Sequence, residues 1–202
     1  MVGTLKVVTA PGKLAVSADE FVAQSREISS TAEVAVIERY IRAATREFER
    51  QAGITIHDTE YEYVLNCWPC CNHVVLPRAV PLLEIVSVKY FESDGTERTL
   101  SGSAYIVDTH SEPGRLVLAY GESWPSFTAY PVAPIRIRYR AGIDTSAYEH
   151  SQQEADDDIK TGILLMVAGS YENRESDLAD PKIVIDGRAR KYIEGRRVEY
   201  VF

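Results

Sequence analysis

The sequence predicts an α+β fold: N-terminal helices packed with a long C-terminal helix, an inserted strand-rich subdomain between them, and an extended C-terminal tail. Apolar residues step by three and four over Val34–Phe48 and again over Ile159–Tyr171. Between these stretches the apolar period falls to two, and helices flanking a block of strands signal segregated rather than alternating elements. Residues 1–202 are expected to form a single domain, with helices over 17–53, the insert over 54–142, a central helix over 154–175 and a docking tail over 181–202.

Residues 1–16 read as extended, with Pro11-Gly12 as a turn. Ser17-Ala-Asp-Glu20 is a capping box that opens a short helix to about Ile28. Ser30-Thr-Ala-Glu33 is a second one. It starts an amphipathic helix whose narrow seam of Val34, Ile37, Ile41, Ala44 and Phe48 is flanked by Glu33, Arg39, Arg42, Arg46, Glu49 and Arg50. Glu38 and Arg42 form an i,i+4 pair, and Gly53 followed by Ile54 fits a Schellman close.

In the insert, Tyr61, Tyr63 and Leu65 alternate with Glu62 and Val64, and Val86, Val88 and Tyr90 with Ser87 and Lys89. Asp94-Gly95 turns toward Glu97–Leu100. Tyr105–Val107 and Arg115–Leu118 are short strands joined through Pro113-Gly114, and 119–134 is loop. Ile135, Ile137 and Tyr139 point one way, Arg136, Arg138 and Arg140 the other. The polar stretch 143–153 is expected to be a loop leading into the central helix.

That helix, Asp156–Arg174, is the element around which the chain is organised. Ile159, Ile163, Met166, Val167, Ser170 and Tyr171 recur at helical spacing, and Leu164 and Leu165 widen the apolar surface until the middle is buried nearly all round. Asp156, Asp157 and Asp158 are read as negative charge at the helix N-terminus. Gly162 and Gly169 lie on one face, each costing about 1 kcal/mol relative to alanine, so a neighbouring backbone is expected to approach there. The tail beyond Asp180-Pro181 alternates poorly and reads as strand-like, ending in Val198, Tyr200, Val201 and Phe202.

Composition narrows the function. A formal charge of −8 over 202 residues argues against an avid nucleic-acid binder. No apolar run approaches the ~20 residues that span a bilayer, and the first residues lack a signal-type core, so synthesis in the cytoplasm and no membrane partner are expected. Three cysteines confined to Cys67–Cys71 do not make a disulfide framework.

Cys67-Trp-Pro-Cys70-Cys71-Asn-His73 invites a zinc or redox reading. All four groups would have to converge from one short loop, and adjacent Cys70 and Cys71 chelate one ion poorly. The plainer reading is a compact loop before a Leu76-Pro77-Arg78 strand, with the cysteines as small hydrophobes. His57, His73, His110 and His150 are scattered, Ser123 lacks the second glycine of a nucleophile elbow, and no phosphate-cradling loop occurs. Neither a catalytic residue nor a cofactor or metal ligand is assigned.

Three basic features remain. Arg136, Arg138 and Arg140 form a stripe that is either a solvated face or a contact with an acidic neighbour or passing phosphates. Arg188, Arg190, Lys191, Arg196 and Arg197 cluster beside Val198, Tyr200, Val201 and Phe202, which favours partner docking over a solvated end. The flank of Arg39, Arg42, Arg46 and Arg50 is available to meet another copy or to line a channel.

LPRAVPLLEIVSVKYF, the order AYIVD, PGRL, AYGESWP, the strand IRIRYRAG, and the helices TAEVAVIERYIRAATREFERQAG and IKTGILLMVAGSYENRE together resemble the head–tail connector (adaptor) proteins of long-tailed bacteriophages. Gene transfer agents, which are phage-derived particles, carry similar proteins. The resemblance runs from about Thr31 to Asp177. It implies a non-enzymatic ring, commonly of twelve copies, beneath the portal protein at the capsid vertex of the virion neck. Such a ring extends the channel for duplex DNA, which passes without sequence recognition, and carries a stopper or tail-completion protein. The resemblance also implies that the C-terminal segment reaches the portal. The alternatives are another neck or tail-completion protein, or a small metal or thiol protein built on Cys67–His73.

Overall fold

The computed structural model describes residues 3–9, 14–24, 31–142, 150–173 and 183–198. The fold is α+β, and the chain divides into two compact units. One comprises Ile54–Asp144 with the terminal segments Met1–Pro11 and Val198–Phe202; the other comprises Gly12–Gly53 and Thr145–Arg197.

The first unit holds β1 (Thr4–Thr9), β2 (Thr59–Leu65), β3 (His73–Val75), β4 (Leu82–Phe91), β5 (Glu97–Thr99), β6 (Tyr105–Asp108), β7 (Arg115–Leu118) and β8 (Ile135–Ala141). They form one sheet ordered β1-β2-β8-β4-β5 and a second ordered β3-β7-β6, antiparallel throughout. A single core cluster draws on both: Tyr61, Tyr63 and Leu65 of β2, Ile135, Ile137 and Tyr139 of β8, Leu82 and Val88 of β4, Val74 of β3 and Leu116 of β7. Strict alternation in β2 and β8 sends these side chains inward. The buried Tyr61 and Tyr139 rings lie 5.7 Å apart, with their hydroxyls at Thr55 Oγ1 and the Pro77 carbonyl respectively.

Two strand expectations need correction. Val86 does not share a face with Val88 and Tyr90; it is 49% exposed. The register between β4 and β8 shifts between Leu82 and Glu84 and again between Ile85 and Ser87, and a bulge turns the intervening residue outward. The strand expected at Leu76-Pro77-Arg78 lies instead at His73–Val75, since proline has no N–H for a ladder and Arg78 adopts φ 58°. Asp108, at the end of β6, fixes the turn into β7: it accepts from the backbone N–H groups of His110 and Ser111, from Ser111 Oγ at 2.6 Å and from Arg115 at 2.8 Å.

The second unit holds α1 (Ala18–Gln24), α2 (Thr31–Ala52), α3 (His150–Glu172) and α4 (Gly187–Gly195). The capping box of α1 is complete: Ser17 N–H donates to Glu20 Oε2 at 2.7 Å and Glu20 N–H to Ser17 Oγ at 3.1 Å. The box at Ser30–Glu33, the extension of α1 to Ile28, the Pro11-Gly12 turn and the last two residues expected of the central helix lie outside the described residues. Gly53 ends α2 at φ 74°, its N–H bonded to the Glu49 carbonyl.

α3 starts at His150, one turn before its expected first residue, so Asp156–Asp158 lie beyond the first turn and do not cap it. Ser151–Ala155 is made of residues that a helix tolerates without any apolar period to betray it. The seam of α2, Ile37, Ile41, Ala44 and Phe48, is fully buried, and both α2 and α4 pack on α3. Gly162 is where they converge. A Cβ there would stand 2.8 Å from the Phe48 ring and 3.0 Å from Tyr192 Cβ, so side chains of α2 and α4, rather than the backbone expected, fill the notch. Gly169 faces Val184 in the same way, and buried Ser170 accepts from the Val184 N–H at 2.9 Å while donating to the Met166 carbonyl.

Gly162→Ala sets a helix-propensity gain of about 1 kcal/mol against an overpacking cost of about 1–3 kcal/mol. Because one of the two neighbours is the Cβ of another helix, the loss prevails; urea denaturation is expected to show a net destabilisation of up to about 2 kcal/mol. Asp108→Asn is expected to cost about 1–3 kcal/mol at neutral pH. Hydrogen bonds from Ser111, then Arg115, hold the native Asp108 carboxyl below the ordinary aspartate range. Its contribution is therefore full above the unfolded-state value of about 3.9 and is lost as pH falls through the lower native value, so melts of wild type and variant should converge in acid.

Candidate interaction surfaces

The arginine stripe of β8 exists as one face of the five-stranded sheet, and its members are already engaged. Arg138 stands opposite Glu62 and Arg140 opposite Glu60, because acids alternate on β2 where bases alternate on β8. Arg138 Nε donates to Glu62 at 3.1 Å and its guanidinium approaches Glu60 at 3.9 Å. Arg140 donates to Glu84 at 2.6 Å and pairs with Asp58, so Asp58 first and Glu84 second favour its charged form. Arg136 lies 4.5 Å over the Phe91 ring. These pairs are solvent-exposed and each contributes about 0–1 kcal/mol. Guanidiniums shared with carboxylates have less charge to offer a phosphate.

α2 is organised differently. Between Arg39 and Ala52 its exposed positions are Arg39, Arg42, Arg46 and Arg50, spaced three or four apart and opposite the buried seam. Arg42 reaches Glu38 at 3.4 Å, Arg50 bonds Glu47, and Arg39 lies 5.8 Å from the Tyr40 ring centroid. Like charges at this spacing destabilise a helix by about 0.2–0.5 kcal/mol per pair, a cost the interior packing of α2 does not require.

The tail is not the strand expected. After Ser170 and Gly169 seat Val184, Asp186 caps α4 by accepting from Arg188 N–H at 3.0 Å and Ala189 N–H at 2.7 Å. Those bonds, the Ala189 N–H foremost, lower the Asp186 pKa. Ala189 and Ile193, one turn apart, are buried. Asp186 ahead of a helix is a legible N-cap; a nine-residue helix is too short for its period to stand out. Arg188 pairs with Asp186 and Arg196 with Asp158 on α3, at 3.1 and 3.4 Å. Arg190, Lys191 and Arg197 are exposed and have no ion-pair partner among the described residues. Val198 is half-buried, and Tyr200, Val201 and Phe202 lie outside the described residues.

Cys67, Cys70 and Cys71 are all exposed rather than serving as core hydrophobes. The loop is fixed instead by an aromatic stack: Trp68 and Trp124 lie parallel at 4.7 Å, Trp124 Nε1 donates to the Cys71 carbonyl at 2.8 Å, and Tyr90 and Phe127 extend the cluster. These are the chain's two tryptophans, which is the one sequence signal that pointed to this clamp. His73 belongs to β3 and pairs with Val117. Among the described residues no three His, Cys, Asp or Glu side chains are placed to hold a metal ion. No helix among them is long and apolar enough to cross a membrane.

No protein-family model and no curated protein matches the chain. Solved structures do. A chain in the neck of an empty gene transfer agent (GTA) particle, computed with C6 symmetry, superposes with a TM-score of 0.76 at 20% identity, over 98% of this chain and 97% of that one. Chains in the native particle's neck, computed with C12 symmetry, and in its whole virion give TM-scores of 0.73 and 0.72 at 20% and 21% identity, with the same coverage. The fold described above is therefore shared, almost end to end, with chains of a gene transfer agent particle.

Exposure of all three cysteines predicts that a thiol-specific chromogenic reagent titrates three thiols per native chain without denaturant. Fewer until unfolding would show that the loop hides one.

Proposed function

We propose that this chain is a non-enzymatic structural connector of a phage-like particle, a ring subunit beneath the portal that extends the DNA channel and joins capsid to tail. The observation that carries the reading is the fold shared over 98% of this chain with neck chains solved under sixfold and twelvefold symmetry. Rotational symmetry of that order supports a ring, commonly of twelve copies. The site of action is then the virion neck, with assembly in the host cytoplasm. Below the ring sits a stopper or tail-completion protein, and duplex DNA passes through without sequence recognition. A net charge of −8 suits a conduit along which DNA must slide rather than adhere.

In this reading the portal contact is α4 and the residues after it. α4 is held on α3 by its buried residues, and it turns Arg190, Lys191 and Arg197 to solvent. Another neck or tail-completion position would use the same ring with different neighbours. Among the described residues Cys67, Cys70, Cys71 and His73 form no group placed to hold a metal ion, which weighs against the metal form of the alternative.

Deleting residues 181–202 would uncover the α3 surface under Ala189 and Ile193, so charge reversal is the cleaner test. Arg190→Glu/Lys191→Glu/Arg197→Glu is expected to lower co-sedimentation with the portal by about tenfold or more while leaving the melting transition in place. Unchanged co-sedimentation would remove α4 from the portal contact; no co-sedimentation by the wild type would remove the connector reading itself.

A further inference from the structure

We propose that the arginine ridge of α2 is the surface by which one copy of this chain docks on exposed carboxylates of the next copy. The inference rests on the ring reading above and names the surface that closes the ring. Its basis is charge segregation. Every exposed position from Arg39 to Ala52 is an arginine, and all four lie opposite the buried seam of Ile37, Ile41, Ala44 and Phe48. The seam already satisfies the fold, so the repelling line of cations serves something outside the subunit.

The chain supplies the matching charge itself. Its net charge is −8, and removing these four cations leaves −8 − 4 = −12 on the remainder. Within the same helical unit, Asp19 on α1 and Asp157 on α3 are exposed, while Asp158 is taken up by Arg196. A closed ring needs two different, complementary surfaces on each copy, and a cationic ridge facing exposed carboxylates is such a pair. Duplex DNA is the competing polyanion. Against it, Glu38 and Glu47 sit beside the ridge, bonded to Arg42 and Arg50, and would repel a continuous phosphate backbone. A partner with discrete carboxylates can instead address Arg39 and Arg46 between those acids.

The test compares full-length wild type, Arg39→Glu/Arg46→Glu, and that variant carrying Asp19→Lys/Asp157→Lys as well. Each is added to portal-bearing heads at low salt, and rings are counted by electron microscopy. Reversal at the ridge is expected to cut ring occupancy by about tenfold or more, and reversal of both patches to restore it to within about threefold. The melting temperatures of the variants should stay within about 4 °C of wild type, because every altered position is exposed. If the wild type forms no ring, the connector reading fails and takes this inference with it. If wild type forms rings and the ridge variant fills equally well, the ridge is not the interface and the connector reading stands. Loss that the second reversal does not recover also overturns the proposal, and a parallel fall in duplex binding would assign the ridge to phosphate.

Discussion

The helical unit depends on an absent side chain. At Gly162 a Cβ would stand 2.8 Å from the ring of Phe48 on α2 and 3.0 Å from the Cβ of Tyr192 on α4, so one position on α3 limits the approach of two other helices. That approach decides which faces are left outside. Because Ile37–Phe48 turn inward, the arginines of α2 turn outward; because Ala189 and Ile193 turn inward, the cations of α4 do the same. Ser170 and Gly169 complete the arrangement by fixing Val184, from which the chain enters the Asp186 cap. The two cationic surfaces are thus consequences of one buried contact line.

The sheet unit treats charge in the opposite way. Arg138 and Arg140 stand opposite Glu62 and Glu60 across a strand pair, and Glu84 and Asp58 close the group. In β2 and β8 the same alternation that builds the core on one face builds self-compensating pairs on the other. In α2 and α4 several cations lack such compensation. Counting arginines alone would rank the three surfaces together; their partners separate them.

Much of this was legible in the sequence, and the failures have physical causes. Period-two and period-3.6 stretches located β2, β8, α2 and α3, and the capping box at Ser17–Glu20 set the start of α1. Val86 was misassigned because a bulge is a property of strand pairing, which one strand's alternation does not display. The first turn of α3 was missed because Ser151–Glu154 carries no apolar residue. α4 was missed because two buried residues, Ala189 and Ile193, are too few to reveal a period. At the surfaces, the sequence disclosed the arginines of β8 but not their carboxylates, since Asp58 and Glu84 lie 82 and 56 positions away from Arg140. It disclosed the three cysteines but not the tryptophan stack that frames them, whose bond from Trp124 to Cys71 spans 53 positions.

The alternation of β8 also governs how this sheet can go wrong. Sliding β8 by one residue against β2 would turn Arg136, Arg138 and Arg140 into the cluster now holding Ile135, Ile137 and Tyr139. Three guanidiniums without counterions in an apolar interior cost more than a domain's entire net stability of about 5–15 kcal/mol. A misaligned strand is thereby rejected rather than trapped, so the sheet carries its own proofreading against off-register pairing.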